Sequence, residues 1–256
     1  AIPAAEINLH CFIEASVVEE NKIKELSKKL ESMKQLVISP SCTMRYHPLP
    51  VIIRELLRNE HIGKPLSFNY ITGQYLPDWH PWEDINEFYV SKRETGGARE
   101  IVPFELTWLN EIFGDPIPLG CVKDKLSDMD ADIDDIYLFT LRYPKNILGS
   151  ISIEVLSRPT ATREIYITGT HGKISYNSSD EFVKYIKVGD KKWSEVALDH
   201  GTIEPGYVNP EEPYISEIKD FLNAVKTSDR FAFPNTLEKD VKILKLLTNL
   251  EELSIK

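Results

Sequence analysis

Positive charge is in short supply in this sequence. Thirty Lys and Arg stand against forty Asp and Glu, a formal charge of −10 over 256 residues. A protein that grips a phosphate backbone needs a basic stripe. Here the acidic groups are dispersed, apart from Asp128–Asp135, so nucleic acid is not an expected partner. Cysteine is scarce as well. Cys11, Cys42 and Cys121 are odd in number and far apart, with no CxxC pair. That argues against a disulfide framework or a structural zinc site and suits a reducing compartment. The acidic run lacks the glycine and terminal glutamate of a calcium loop, so it reads as a solvated loop and no metal is expected. Apolar runs are too short for a transmembrane helix, and no leader pattern of charged and apolar regions is present. No internal repeat or low-complexity segment occurs. The expectation is a soluble cytoplasmic protein without a membrane partner. What the sequence does have is ordinary globular composition, 42% hydrophobic and 27% charged, with length enough to bury a core unaided.

Periodicity orders the elements. Leu9–Ile13 and Gln35–Ser39 are short apolar runs that read as buried strands. Between them, Ser16 and Glu19 form a capping-box pattern ahead of Ile23, Leu26, Leu30 and Met33 at helical spacing. Strand, helix, strand implies a parallel unit. Pro48–Asn59 predicts a helix and Leu66–Tyr75 a strand, followed by an irregular aromatic segment to Phe88. Gly96-Gly97 precedes a helix expected over Pro103–Phe113. Seven strand candidates follow between Ile117 and Leu198, with hairpin turns at Tyr143–Asn146 and Gly169–Gly172, read as an antiparallel meander. The end is helical again. Ile215, Ile218, Leu222 and Val225 share one face, as do Val241, Leu244 and Leu247, and Asn235 with Glu238 makes a cap for the last helix. The expected class is α+β: a partial parallel α/β unit, then a large, open, mainly antiparallel sheet with helices on one face.

Four segments in this order resemble the glucose–fructose oxidoreductase / inositol dehydrogenase (Gfo/Idh/MocA) family. His10-Cys-Phe-Ile-Glu14 stands where that family has a strand ending in Glu-Lys-Pro. Met44-Arg-Tyr-His-Pro48 through Ile62-Gly-Lys-Pro65 is similar to its crossover helix and the start of its second domain. Tyr75-Leu-Pro-Asp-Trp-His-Pro81 to Gly96-Gly97 resembles the branch acting on sugars and sugar nucleotides. Arg163–Tyr176 resembles its hairpin with a Gly-Thr-x-Gly turn. The resemblance implies an NAD- or NADP-dependent oxidoreductase, transferring hydride to or from a small sugar-like or sugar-nucleotide-like substrate. It also implies a split into residues 1–47, the tail of a Rossmann dinucleotide-binding domain, and 48–256, a substrate and oligomerisation domain. Homo-oligomers through the open sheet are expected.

The sequence departs from that family in two ways. It contains no GxGxxG turn to cradle a pyrophosphate, so the chain is expected to lack the cofactor-binding front and to bind a dinucleotide weakly by itself. The proton-carrying groups are also replaced. Ala15 and Ser16 stand for the Lys-Pro of Glu-Lys-Pro, and Glu100 and Phe104 stand for an Asp…His pair after the double glycine. A non-catalytic binding or assembly subunit is therefore the alternative.

The candidate site residues each read two ways. Glu100 is an acid or base in a cleft, where desolvation would raise its pKa, or an ion-pair partner of Arg99 or Arg45. Arg99 binds an anionic substrate group through its fork or makes a structural pair. Glu105 orients its neighbours or touches substrate. His80 is a catalytic candidate in a loop where Trp79 and Trp82 would bind substrate, or the tryptophans plug the core. Tyr75 is a nearby phenol able to serve a carbinol proton. Glu14 ends a parallel strand on its carboxyl side, where ligands of open α/β sheets bind, and Arg45 follows the next strand near the expected nicotinamide. Both are cofactor-side candidates. Ser16 reads as a helix cap.

Overall fold

A computed structural model of the chain describes residues 1–14, 20–79, 81–82, 84–87, 89–199, 201–202 and 210–254. The N-terminal part is small. Helix α1 (Ile2–Glu6) leads to strand β1 (Cys11–Ile13), helix α2 (Glu20–Leu30) and strand β2 (Ile38–Pro40). The two strands pair in parallel, Cys11 with Ile38 and Ile13 with Pro40, as strand–helix–strand spacing requires. Ser16 and its capping pattern lie outside the described residues. Helix α2 buries Ile23, Leu26 and Leu30, the 3.6-residue stripe read from sequence.

Helix α3 (Pro48–Arg58) then crosses to an eight-stranded sheet. It starts on two favourable signals, Pro at its first position and the His47 side chain accepting from the Leu49 N–H. The strands are β3 (Pro65–Gly73), β4 (Ile117–Asp124), β5 (Ile136–Tyr143), β6 (Ile147–Glu154), β7 (Thr162–Gly169), β8 (Gly172–Asn177), β9 (Phe182–Lys187) and β10 (Ser194–Ala197). Their spatial order is β10-β9-β8-β7-β3-β6-β5-β4. The expected meander is thus interrupted. Strand β3 is inserted between β6 and β7, parallel to the first and antiparallel to the second. Alternate residues of β5 and β6 face inward and are buried, the period of two that a sheet covered on one side demands. On the open outer face one row runs Val122, Leu138, Ser152, Ile71, Glu164, Asn177.

Helix α4 (Ala98–Phe113) covers the inner face. It begins five residues earlier than the sequence suggests, because Pro103 lies inside it and not at its start. Val102, Leu106, Trp108, Leu109 and Phe113 pack on Phe68, Tyr70, Tyr143 and the β6 isoleucines. The rings of Phe68 and Phe113 stack with centroids 4.4 Å apart.

Helices α5 (Glu212–Thr227) and α6 (Leu237–Glu252) return to the N-terminal part. Helix α6 joins the two units: Leu237 and Leu244 pack with Leu26, Leu30 and Ile38, while Ile243, Leu246, Leu247 and Leu250 enter the main core. Two expectations for these helices change. In α5 the buried residues are Pro213, Glu217, Phe221 and Ala224, and Ile215, Ile218 and Leu222 are exposed. The cap of α6 is Thr236, whose side chain accepts from the Lys239 N–H. Asn235 is buried and donates to the carbonyls of Pro40 and Ser41.

The acidic run is not a solvated loop throughout. Asp134 and Asp135 are buried. Asp134 is paired with Arg93 and Lys123, and Asp135 accepts from the N–H groups of Leu126 and Ser127. Among the described residues no cluster is suited to a metal ion, and no helix is long and apolar enough to cross a membrane.

Candidate functional site

The start of α4 is tied to one end of the large sheet by backbone hydrogen bonds. The Ala98 N–H donates to the Asp134 carbonyl at 3.1 Å, Val155 to Asp135 at 2.9 Å, and Leu76, just after β3, to Val155 at 3.2 Å. Residues Tyr89–Ser91 form a 3-10 turn beside this junction. Glu100 lies in the first turn of α4 and is half-buried. The Tyr89 hydroxyl donates to its Oε1 at 2.5 Å. Its Oε2 is buried and has no hydrogen-bond partner among the described residues. Glu14, exposed at the carboxyl end of β1, lies near enough to act on both groups by its charge.

Three influences meet on Glu100. Burial penalises its charged form, the Tyr89 hydroxyl favours it, and the Glu14 carboxylate disfavours it. The result lifts its pKa from 4.5 to about 7. A carboxylate in the first turn of a helix is normally helped by the helix dipole; here desolvation outweighs that help. Neither arginine expected as a counter-ion reaches Glu100. Arg99 donates from Nε to Glu251 Oε1 at 2.7 Å and from Nη1 to the Glu94 carbonyl at 2.6 Å. Its fork is occupied by a structural tie to α6, which corrects its expected role as a substrate-anion binder.

Arg45 sits elsewhere. Its Nη1 donates to the Pro234 carbonyl at 2.9 Å, and its Nη2 is 3.4 Å from Glu111 Oε1. Glu111 also holds Arg54. Eleven residues separate Glu100 from Glu111 along α4, roughly 16 Å of helix at 1.5 Å per residue. Arg45 is thus engaged by the Pro234 carbonyl and Glu111 and not by Glu100. Glu105 is 0% exposed. Its Oε2 accepts from the Tyr70 hydroxyl and the Trp108 indole, each at 2.7 Å. Arg163 Nη1 lies 2.9 Å from its Oε1. It is sealed between helix and sheet, so it is no substrate contact; it orients its neighbours.

The aromatic loop divides. Trp79 packs against the main core and is half-buried, whereas Trp82 is exposed. Tyr75 is half-buried at the end of β3, with the Arg158 guanidinium over its ring at 3.5 Å, a cation–π contact. His80 lies outside the described residues. Tyr89 was not a sequence candidate: it precedes Glu100 by eleven residues in an irregular segment, and no periodicity links the two.

The resemblance noted in the sequence implies a nicotinamide dinucleotide, whose pyrophosphate needs a glycine-rich strand-to-helix turn. The sequence has no glycine before Gly63. In the turn after β2, the Cys42 N–H and the hydroxyls of Ser41 and Thr43 all bind Glu217 of α5. These residues offer a pyrophosphate no cradle.

Residues 51–175 match the GFO/IDH/MocA C-terminal domain. The fold superposes on levoglucosan dehydrogenase, solved with NADH and L-sorbose, with a TM-score of 0.79 and 17% identity over 99% of this chain and 73% of that one. It also superposes on an oxidoreductase from Agrobacterium radiobacter, solved with NAD+, L-tartaric acid and magnesium (TM-score 0.80, 12% identity, 98% and 72% covered). An inositol dehydrogenase homologue from Azotobacter vinelandii, solved with NAD+, gives a TM-score of 0.77 at 12% identity, with 98% and 72% covered. At these identities the likeness is one of fold. No curated protein sequence matches the chain. Residues 51–175 are a domain of the GFO/IDH/MocA C-terminal family.

Proposed function

We propose that the chain forms the substrate side of an NAD(P)-dependent oxidoreductase acting on a sugar-like or polyol-like hydroxyl, with Glu100 exchanging the hydroxyl proton. One observation carries this reading: a half-buried carboxyl that titrates at about 7, with one oxygen held by Tyr89 and the other unpartnered among the described residues. Converting a carbinol to a carbonyl needs a base for the hydroxyl proton, and such a group works best when its pKa is near the working pH. Alanine at 15 and phenylalanine at 104 carry no proton, and Phe104 packs against the core. Glu100 takes over that task, with Oε2 receiving the proton. Support for the substrate class comes from the structural neighbours, which were solved with sorbose, levoglucosan or tartrate. On this reading residues 1–47 are the tail of the dinucleotide-binding domain and 48–256 the substrate domain. The pyrophosphate is gripped by protein outside these residues.

The test is turnover of NAD(H) or NADP(H) by the intact protein with a panel of sugars, polyols and sugar acids. Glu100→Gln should lower kcat by at least about a hundredfold, the usual contribution of a positioned acid or base. A variant as fast as the parent overturns the reading.

A second reading, a non-catalytic subunit that assembles through its sheet, draws on the outer face. Val122, Leu138, Ile71 and Leu148 are all exposed there, and an open sheet face with aliphatic residues favours cover. A stable dimer with no turnover on any of these substrates would favour it.

A further inference from the structure

We propose that Tyr89 is the positioning residue for Glu100, that Gly96 and Gly97 bring it there, and that the two carboxyl oxygens divide the work, Oε1 held by Tyr89 and Oε2 left for the substrate. The proposal rests on the reading of Glu100 as the proton-exchanging group.

The geometry is a clamp. The chain reverses between Tyr89 and Ala98 and lies flat on the helix start. The Thr95 hydroxyl donates to the Tyr89 carbonyl at 2.8 Å. The Gly97 N–H donates to Val90 at 2.9 Å, and the Gly96 N–H to Lys92 at 2.7 Å. Gly96 must be glycine for this approach, since a Cβ there would stand 2.0 Å from the Val90 carbonyl oxygen and 2.3 Å from its Cα. Gly97 has φ +63° and would press a Cβ to 2.8 Å from the Asp134 carbonyl oxygen, so it needs glycine's freedom. The double glycine thus delivers the phenol to the carboxyl.

The phenol hydrogen points at Oε1, because a carboxylate only accepts. That bond fixes the rotation of the carboxyl and leaves the lone pairs of Oε2 unused. Among the described residues two ionisable groups act on Glu100: Tyr89 from the turn and Glu14 from the end of β1. Tyr89 stabilises the carboxylate, while Glu14 and burial oppose it. Removing the phenol hydroxyl therefore moves the titration up, and removing the Glu14 charge moves it down.

The experiment is a pH titration of the Glu100 side-chain carbon by NMR on the full, carbon-labelled chain, paired with the pH profile of turnover in the intact protein. In Tyr89→Phe the midpoint should rise by about one unit, the usual worth of a hydrogen bond to a charged group. In Glu14→Gln it should fall. Gly96→Ala, which keeps Tyr89 but displaces the turn, should reproduce the rise. The acid limb of kcat/KM in Tyr89→Phe should move with the NMR midpoint, and the rate should recover at higher pH. A midpoint unchanged in Tyr89→Phe overturns the proposal. If the midpoint rises but Glu100→Gln keeps full activity, the pairing stands, the proton role of Glu100 fails, and the positioning role falls with it.

Discussion

Glu100 and Glu105 stand little more than one turn apart on α4, and their surroundings are opposite. Glu105 is sealed between helix and sheet, where a phenol, an indole and a guanidinium converge on its two oxygens. Glu100 is half-buried at the helix start, with one donor on Oε1 and none among the described residues on Oε2. A buried charge is tolerated when it is paired and fully hydrogen-bonded. Glu105 is ion-paired to Arg163 and takes its hydrogen bonds on Oε2, while its Oε1 has that ion pair and no hydrogen bond among the described residues; it ties α4 to β3 and β7. Glu100 has no cation among the described residues, and answers by titrating near neutrality. On one helix, the carboxyl paired with a guanidinium does structural work, and the one without a cation is the group whose proton is exchangeable near neutrality.

That contrast breaks most sharply at Glu105. Replacing it with Ala leaves the half-buried Arg163 without its partner and the buried Tyr70 hydroxyl and Trp108 indole without their acceptor. Loss of one member of a buried pair costs on the order of 3–5 kcal/mol, and the partial exposure of Arg163 puts the expected loss at about 3 kcal/mol. Urea denaturation should show this, with no specific change in the pH dependence of any activity. A loss below about 1 kcal/mol would mean that Glu105 is no more structural than Glu100.

At Glu100 the expected effect is on the pH dependence of stability. The group titrates at 4.5 when unfolded and at about 7 in the folded chain. The folded state therefore binds its proton more tightly between those values. Its contribution is full below 4.5 and is lost as pH rises through about 7. In Glu100→Gln that stretch of the stability curve should flatten. Denaturation midpoints of parent and variant with equal slopes from pH 5 to pH 7 would contradict the assignment.

The smallest effect concerns Arg99, neighbour of one carboxyl in sequence and partner of another in space. Arg99→Ala removes the tie to Glu251 and should cost about 1 kcal/mol, as for a half-buried charged hydrogen bond. It should leave KM for substrate unchanged. A tenfold rise in KM without loss of stability would return Arg99 to the substrate.

Much of this fold was legible in the sequence because its patterns are local. Alternation gave the β5 and β6 strands, and the 3.6-residue stripe gave α2 and α3. What local patterns could not give was the choice among faces. Ile215, Ile218 and Leu222 form as good a stripe as any, yet α5 turns the other way, because Glu217 meets the turn after β2 and Phe221 packs with Phe12 and Phe233. Pro103 hid the true start of α4, since proline is read as a helix opener. In the candidate site, Glu100 and Glu14 were readable from motif position. Glu105 was readable as a charge inside an apolar run, three residues before a tryptophan, but the choice between orienting its neighbours and touching substrate depended on its burial. Tyr89 carried no signal, for its meeting with Glu100 depends on how a double glycine folds an irregular loop.

The insertion of β3 has a consequence for kinetics. Strands β6 and β7 follow each other in the chain but never pair; the slot between them is filled by a strand made much earlier, with Ser67 opposite Leu148 and Thr168. The hairpins β5–β6 and β7–β8 can zip from local turns, whereas long-range pairing is slow, because a long loop must close before the pairing stabilises anything. The two wings of the sheet are thus free to form independently, and the barrier to the finished molecule is the threading of one early strand between two late ones.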